Sequence, residues 1–246
     1  MSDTPWFHDW FGTDYLELYP HRDRQEAEAG VSLLLNRIPW TDDWNVLDLA
    51  CGAGRHLQVL HGHGLSPVGL DLSLPLLRQA RATEPLSPVV RGDMRSLPFG
   101  DEAFHLITSF FTSFGYFRSP ADDETVLSEV RRTLRPGGYF FLDFLNAKEV
   151  VRALNPRDES VSGGKRVVQE RRIVQEGKVV EKQIRIRDES GGEERSYTER
   201  VRLYRSHELE SLLEAAGLVP VERLGDYRGG AFSDESPRCI LLGRAV

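Results

Sequence analysis

Residues 46–56 read VLDLACGAGRH. An apolar run carries a carboxylate, Asp48, and the chain then turns through small residues, with Gly52 and Gly54 spaced by one. A short apolar run bounded by turn residues has the look of a buried strand. Glycines directly after it let the backbone approach a ligand with no Cβ between them. A loop leaving the C-terminal end of a parallel strand is where open α/β sheets bind their ligands.

The same pattern repeats outward from this turn. Short apolar runs at 45–50, 67–71, 88–93, 104–110 and 138–144 alternate with segments of helical spacing. Ser73 with Pro75 opens one such segment, and RPGG at 135–138 closes another. Strand alternating with helix predicts an α/β fold: a Rossmann-like, seven-stranded, mainly parallel sheet with helices on both faces. Residues 1–40, rich in aromatics and then in charges, are expected to form an N-terminal helical cap, and 41–160 the α/β core. Over 161–205 the apolar residues alternate or pair with charges between EG and ESGGE turns, which predicts a three-stranded antiparallel insertion. From 206 to 246 a helix capped by Ser206 and two strands, near 218–224 and 238–245, are expected to complete the sheet.

Composition narrows the partners. The 246 residues carry a net charge of -7, which disfavours a phosphate backbone as a bulk partner, although 165–205 holds 12 Lys or Arg against 8 Asp or Glu. Two cysteines, Cys51 and Cys239, are too few for a disulfide framework and point to a reducing compartment. The first residues show neither a basic start nor an apolar stretch, and no run is long enough to cross a bilayer, so a cytoplasmic protein without membrane contact is expected. HGH at 61–63 has no acid nearby in sequence, and no metal is expected there.

Three ligand classes use glycine turns of this kind. A P-loop needs Lys and then Ser or Thr after its last glycine, where this chain has Arg55 and His56. A dinucleotide fingerprint needs Gly or Ala where Leu57 stands, so only half of that pattern is present, and an NAD-dependent oxidoreductase is opposed by Leu57 and Asp48. Acids, by contrast, recur at strand ends: Asp48, then Asp71 at 19 residues beyond Gly52, the spacing at which a carboxylate meets ribose hydroxyls, then Asp93. A carboxylate beside the turn repels pyrophosphate and attracts an ammonium or a sulfonium. Together they describe a ligand with a cationic end, a ribose and a base, and no phosphate: S-adenosylmethionine.

In order, VLDLACGAGRH, GLDLS, GDMRSLPF and LRPGGYFFLDF resemble the successive motifs of class I S-adenosylmethionine-dependent methyltransferases over residues 45–145. The resemblance implies that Gly52 and Gly54 pass beneath the methionine moiety, with Asp48 and the carbonyl of Ala50 near its amino group. Asp71 would hold the ribose, Leu72 would pack on adenine, and Asp93 with the backbone of Met94 would read its edge. Phe110 would flank the cofactor, and Tyr19 or Arg24 of the cap would meet the methionine carboxylate. His105 stands where relatives commonly have Asp. FFTSFGYF at 110–117 and the β insertion look most like small-molecule members, including sugar N-methyltransferases.

Methyl transfer from a sulfonium is an in-line displacement, so the protein's main tasks are alignment and exclusion of water. Tyr116, Tyr15 and a general base at His207 are the candidates for the acceptor side, with His8 as a further histidine. Each tyrosine reads equally as cap packing, and His207 as a solvated helical residue. Cys51 reads as a small residue of a tight turn. Alternatives to small-molecule methylation are a cofactor-binding module without turnover, or methylation of RNA or protein. The insertion reads as a lid over the acceptor or as a contact in a homodimer.

Overall fold

The computed structural model describes residues 4–19 and 24–246. Its elements are α1 (Trp6–Trp10), α2 (Thr13–Leu18), α3 (Arg24–Leu35), β1 (Asn45–Leu49), α4 (Arg55–Gly62), β2 (Ser66–Asp71), α5 (Leu74–Thr83), β3 (Val89–Arg91), β4 (Phe104–Ser109), α6 (Pro120–Thr133), β5 (Leu134–Leu145), α7 (Ala147–Arg152), β6 (Arg157–Ser162), β7 (Lys165–Val174), β8 (Val179–Asp188), β9 (Arg195–Arg202), α8 (Ser206–Ala215), β10 (Leu218–Leu224) and β11 (Arg238–Ala245).

The main sheet has the strand order β10-β11-β5-β4-β1-β2-β3, and only β11 runs antiparallel to its neighbours. Order reverses on either side of β1 and β4, which leaves a crevice at the C-terminal ends of β1, β2 and β4. Side chains of the central strands alternate between two cores. Phe140, Leu142 and Phe144 of β5 pack with Val126, Leu127 and Val130 of α6 and Leu209 and Leu213 of α8. Phe141 points to the other face, with Val31 and Leu34 of α3 and Val59 and Leu60 of α4. A slip of one residue would exchange the two sets, so burial of these side chains, about 1.5–3 kcal/mol each, sets the register.

Caps follow the sequence in part. Ser73 Oγ accepts from Leu76 N–H at 3.3 Å and opens α5 as expected. Ser206, by contrast, is the first residue of α8 and not its cap; Glu208 turns back to accept from Arg205 N–H at 2.7 Å. RPGG belongs to the start of β5, since α6 ends at Thr133 and the strand begins on the next residue.

The second sheet has four strands, in the order β6-β7-β8-β9, where three were expected. It begins at Arg157, earlier than the expected boundary at 161. One face lies on the cap: Val167, Ile184 and Ile186 pack with Trp10 and Leu18, flanked by Tyr15, Tyr19 and Tyr197. Asp14 of α2 joins the two parts, accepting from Arg195 Nη1 at 2.5 Å and from the Tyr197 hydroxyl at 2.6 Å. Among the described residues no helix is long and apolar enough to cross a membrane.

Candidate active site

A cavity of about 770 Å³ opens over the C-terminal ends of β1, β2 and β3 and is roofed by α1, α2 and the start of α3. Its floor is the glycine turn. Ala50, Gly52 and Gly54 all take positive φ, at 58°, 55° and 82°. At Gly54 a Cβ would come within 2.9 Å of Ala80 Cβ in α5, so close packing of the turn demands glycine there. At Gly52 the nearest atom a Cβ would meet is Leu76 Cδ1 at 4.0 Å, so the face above this glycine is open to the cavity.

Asp71 links the floor to the next strand. Its Oδ2 accepts from Gly52 N–H at 2.9 Å and its Oδ1 from Ser73 N–H at 2.8 Å. Burial pushes its carboxyl above the usual range, against the pull of these backbone donors. Each oxygen keeps a lone pair for a further donor such as a ribose hydroxyl.

Asp48 does not line the cavity. It is fully buried beneath the turn, where Oδ1 accepts from Thr108 Oγ1 at 3.0 Å and Oδ2 has no partner. Burial raises its carboxyl to about 7, opposed by the Thr108 hydrogen bond and the Arg55 charge. Asp48 thus lies beneath the turn and not on the cavity surface, while Ala50, expected beside it, lines the cavity.

Asp93 lies on the cavity wall in a grip the sequence reading missed. Arg95 Nη2 meets its Oδ2 at 2.7 Å, and the Arg95 N–H donates to Oδ1 at 2.9 Å. Burial pushes the carboxyl up, but the Arg95 hydrogen bonds outweigh it and hold it below the usual range. Arg95 reaches on to Asp122 at 3.1 Å and lies 4.5 Å from the Phe117 ring centroid. Leu72 and Met94 line the cavity beside Asp93.

The roof is aromatic. Phe7, Phe11, Tyr15, Tyr19, Tyr116 and Phe117 line the cavity, with Arg24 at its edge in an exposed pair with Glu28. Tyr116 stacks on Phe11 at 5.9 Å and meets Trp6 edge-on at 5.0 Å. Tyr15 sits edge-on to Phe11 at 5.0 Å, and burial raises the Tyr19 phenol above its ordinary value. Ser73 Oγ donates to Phe11 O at 2.5 Å and ties roof to floor. Phe110 is buried at the inner wall, stacked 4.0 Å from His56. Burial, and then Arg55 and Arg238, keep that imidazole neutral.

Of the expected histidines, His8 lines the cavity; His207 does not, being exposed in the first turn of α8. His105 is occupied far from the site, accepting from Asn45 N–H at 2.9 Å through Nδ1 and facing Arg135 at 2.8 Å. Cys51 is buried and its thiol is pushed well up by burial, as befits packing and not nucleophilic attack. Arg55, paired with Glu26 of α3 at 2.8 Å, is a cavity residue that lies within the opening motif and was given no role there.

Residues 46–138 match the family model described as a methyltransferase domain. The match runs from β1 into β5 and leaves the cap and the second sheet outside it. The fold is that of the class I methyltransferases, and the cavity offers features that would suit S-adenosylmethionine: an open glycine face, spare acceptor capacity at Asp71 and a buried carboxylate beneath the turn at Asp48. The chain is 39% identical over 111 residues to an uncharacterized methyltransferase of Synechocystis sp., covering 45% of this chain and 51% of the relative. It is 32% identical over 113 residues to the dTDP-3-amino-3,4,6-trideoxy-alpha-D-glucopyranose N,N-dimethyltransferase of Streptomyces venezuelae, covering 46% of each. The chain spans about half the length of these curated relatives. In structure it is similar to the SAM-bound amino pentose methyltransferase CalS10 of Micromonospora echinaspora, with a TM-score of 0.72 at 22% identity over 95% of this chain and 97% of the other.

Proposed function

We propose that the chain methylates a small-molecule acceptor at nitrogen or oxygen. The observation that carries this reading is one cavity with two unlike halves: acid-bearing strand ends below and a ring of aromatic side chains above. The bound cofactor supplies an electrophilic methyl group on a sulfonium. The chain's part is to hold the ribose at Asp71, leave room over Gly52, and close the aromatic roof so that water is displaced from the path between donor and acceptor. Tyr116 and Tyr15 stand on the acceptor side, where they orient the acceptor by contact, and His8 is the histidine placed to receive a proton.

An amino sugar is the acceptor class taken here, supported by the likeness to the aminoglucose dimethyltransferase of Streptomyces venezuelae. Nucleic acid is a poor fit, because arginines of the insertion are already matched by acids: Arg157 with Glu170, Arg166 with Glu159, and Arg172 with Glu181. The insertion's packing on α1 and α2 favours a role in supporting the lid over one in pairing two copies.

Titration calorimetry with S-adenosylmethionine, S-adenosylhomocysteine and NAD tests the cofactor half. Binding of the first two and indifference to NAD is expected, and preference for NAD would overturn the reading. Incubation with a panel of amino sugars, followed by detection of S-adenosylhomocysteine, tests the acceptor half. A chain that binds cofactor yet turns over no small amine or alcohol would be a binding module instead.

A further inference from the structure

Beyond β4 the chain runs through residues 110–118, which bring Phe110, Phe111, Tyr116 and Phe117 to the cavity wall. Two consecutive residues here, Phe111 and Thr112, have φ of 58° and 61°. Side chains with a Cβ, and β-branched ones above all, hold that conformation only where their surroundings impose it.

Asp143 of β5, wholly buried, supplies the constraint. Its Oδ2 accepts from Phe111 N–H at 2.7 Å and its main-chain oxygen from Thr112 N–H at 2.9 Å. The Tyr227 hydroxyl donates to the same Oδ2 at 2.5 Å, and Arg238 Nε donates to Oδ1. Arg238 Nη2 continues to Thr112 Oγ1 at 3.3 Å. The far end of the loop repeats the arrangement. Asp123 of α6, also wholly buried, accepts from the Tyr204 hydroxyl at 2.7 Å and faces Arg202 at 3.5 Å. Arg202 N–H donates to Gly115 O at 2.8 Å, and its Nη2 to the carbonyls of Phe117 at 3.3 Å and Arg118 at 2.9 Å.

The same three side-chain types thus occur twice, at the two ends of one loop, drawn from elements far apart in the chain. A buried ion pair is seldom the most stabilising way to fill such a volume, since apolar side chains avoid its desolvation cost. Geometry, not stability, is what a directional Asp–Arg–Tyr set provides.

We propose that Asp143, Arg238 and Tyr227 at one end, and Asp123, Arg202 and Tyr204 at the other, are clamps that hold residues 110–118 in place, with Phe111 and Thr112 in the left-handed region, and so position Tyr116 and Phe117 as the acceptor wall. These six are positioning residues that act through the loop. That the wall faces an acceptor rests on the methyltransferase reading; that the loop is clamped does not.

Hydrogen exchange on the full chain tests the clamps, using Tyr227→Phe and Tyr204→Phe, which remove one O–H donor each and keep the ring. Asp143→Asn and Arg202→Lys serve as a second pair. Amides within 110–118 are expected to exchange at least tenfold faster, with those of β1 and β4 unchanged. The ¹⁹F resonance of 5-fluorotryptophan at Trp6, whose indole donates to Tyr116 O at 3.3 Å, is expected to shift. The Kd for S-adenosylhomocysteine is expected to stay within threefold. Loop exchange equal to that of the parent chain, acceleration spread over the whole chain, or a tenfold loss of S-adenosylhomocysteine affinity would each overturn the proposal. Failure of the parent chain to bind S-adenosylhomocysteine would remove the methyltransferase reading, and the exchange rates would still decide the clamps.

Discussion

At Asp71 one carboxylate oxygen accepts from the glycine turn and the other from the first turn of α5, so the side chain organises the floor before any ligand arrives. Replacing it with Asn turns an amide N–H toward a backbone N–H, so turn and ligand contacts both suffer. Asp71→Asn is expected to weaken S-adenosylmethionine binding by about 1.5–3 kcal/mol, the scale of a charge-assisted hydrogen bond, and to lower the melting temperature as well. Ser73→Ala separates the effects. It keeps both backbone donors to Asp71 while removing a helix cap worth about 1 kcal/mol and the tie to Phe11 O, so the melting temperature is expected to fall by at least about 2–4 °C and calorimetric affinity for the cofactor to fall less than in Asp71→Asn. Asp71 and Asp93 were legible as cavity residues because acids that end apolar runs form a local pattern, whereas Asp48, inside its run, lies beneath the floor. Arg55 was not legible, because Glu26 on α3 comes from elsewhere in the chain; Arg95, two residues after Asp93, had a local signal that went unused, and only its contact to Asp122 on α6 was out of reach. Asp143 had a signal that went unused: an acid inside the apolar run FFLDF must find buried partners.

At the scale of elements, the second sheet serves as the backing of the aromatic roof. Three of its strands were legible from alternating apolar and charged residues. The fourth, β6, reads RDESVS, whose one apolar residue, Val161, is exposed, so nothing in its own composition marks it; pairing with β7 creates it. Asp14 joins roof and backing through Arg195 and Tyr197. Asp14→Ala is expected to free α2 from the sheet, with faster proteolytic cleavage in the cap and a change in the emission of Trp10, whose ring lies 5.1 Å from that of Tyr197. Cleavage at the parent rate would mean that aromatic packing alone holds the roof. Tyr116→Ala belongs to the same scale, since Tyr116 touches Trp6 and Phe11 of α1 and the segment after it. It is expected to reduce turnover with any acceptor found while leaving cofactor affinity within a few-fold; if turnover is unchanged, Tyr116 only packs.

For the whole molecule, stability and ligand binding meet at Asp48. Burial raises its carboxyl from 3.8 to about 7, so the folded chain keeps a proton there that the unfolded chain releases. The stabilisation tied to that proton is complete below pH 3.8 and is lost as pH rises through about 7. By pH 8 the ionised group costs the ligand-free fold about 4 kcal/mol relative to acid conditions. His56 works in the opposite sense, because its imidazole is kept neutral when folded and stability falls as pH drops through 6.5. Comparing Asp48→Asn with the parent chain cancels the His56 contribution, which both share. The stability advantage of the variant over the parent in urea unfolding is expected to grow by roughly 2.5 kcal/mol between pH 5 and pH 8. A variant less stable than the parent at pH 8 would show that the ionised carboxylate has a partner. The buried charge is useful once a cation lies above the turn, since ligand and carboxylate then stabilise each other across a medium of low dielectric. Parent affinity for S-adenosylmethionine should therefore rise about tenfold from pH 5.5 to 7, as the ionised fraction of a group titrating near 7 grows, whereas Asp48→Asn should bind with a flat profile over the same range.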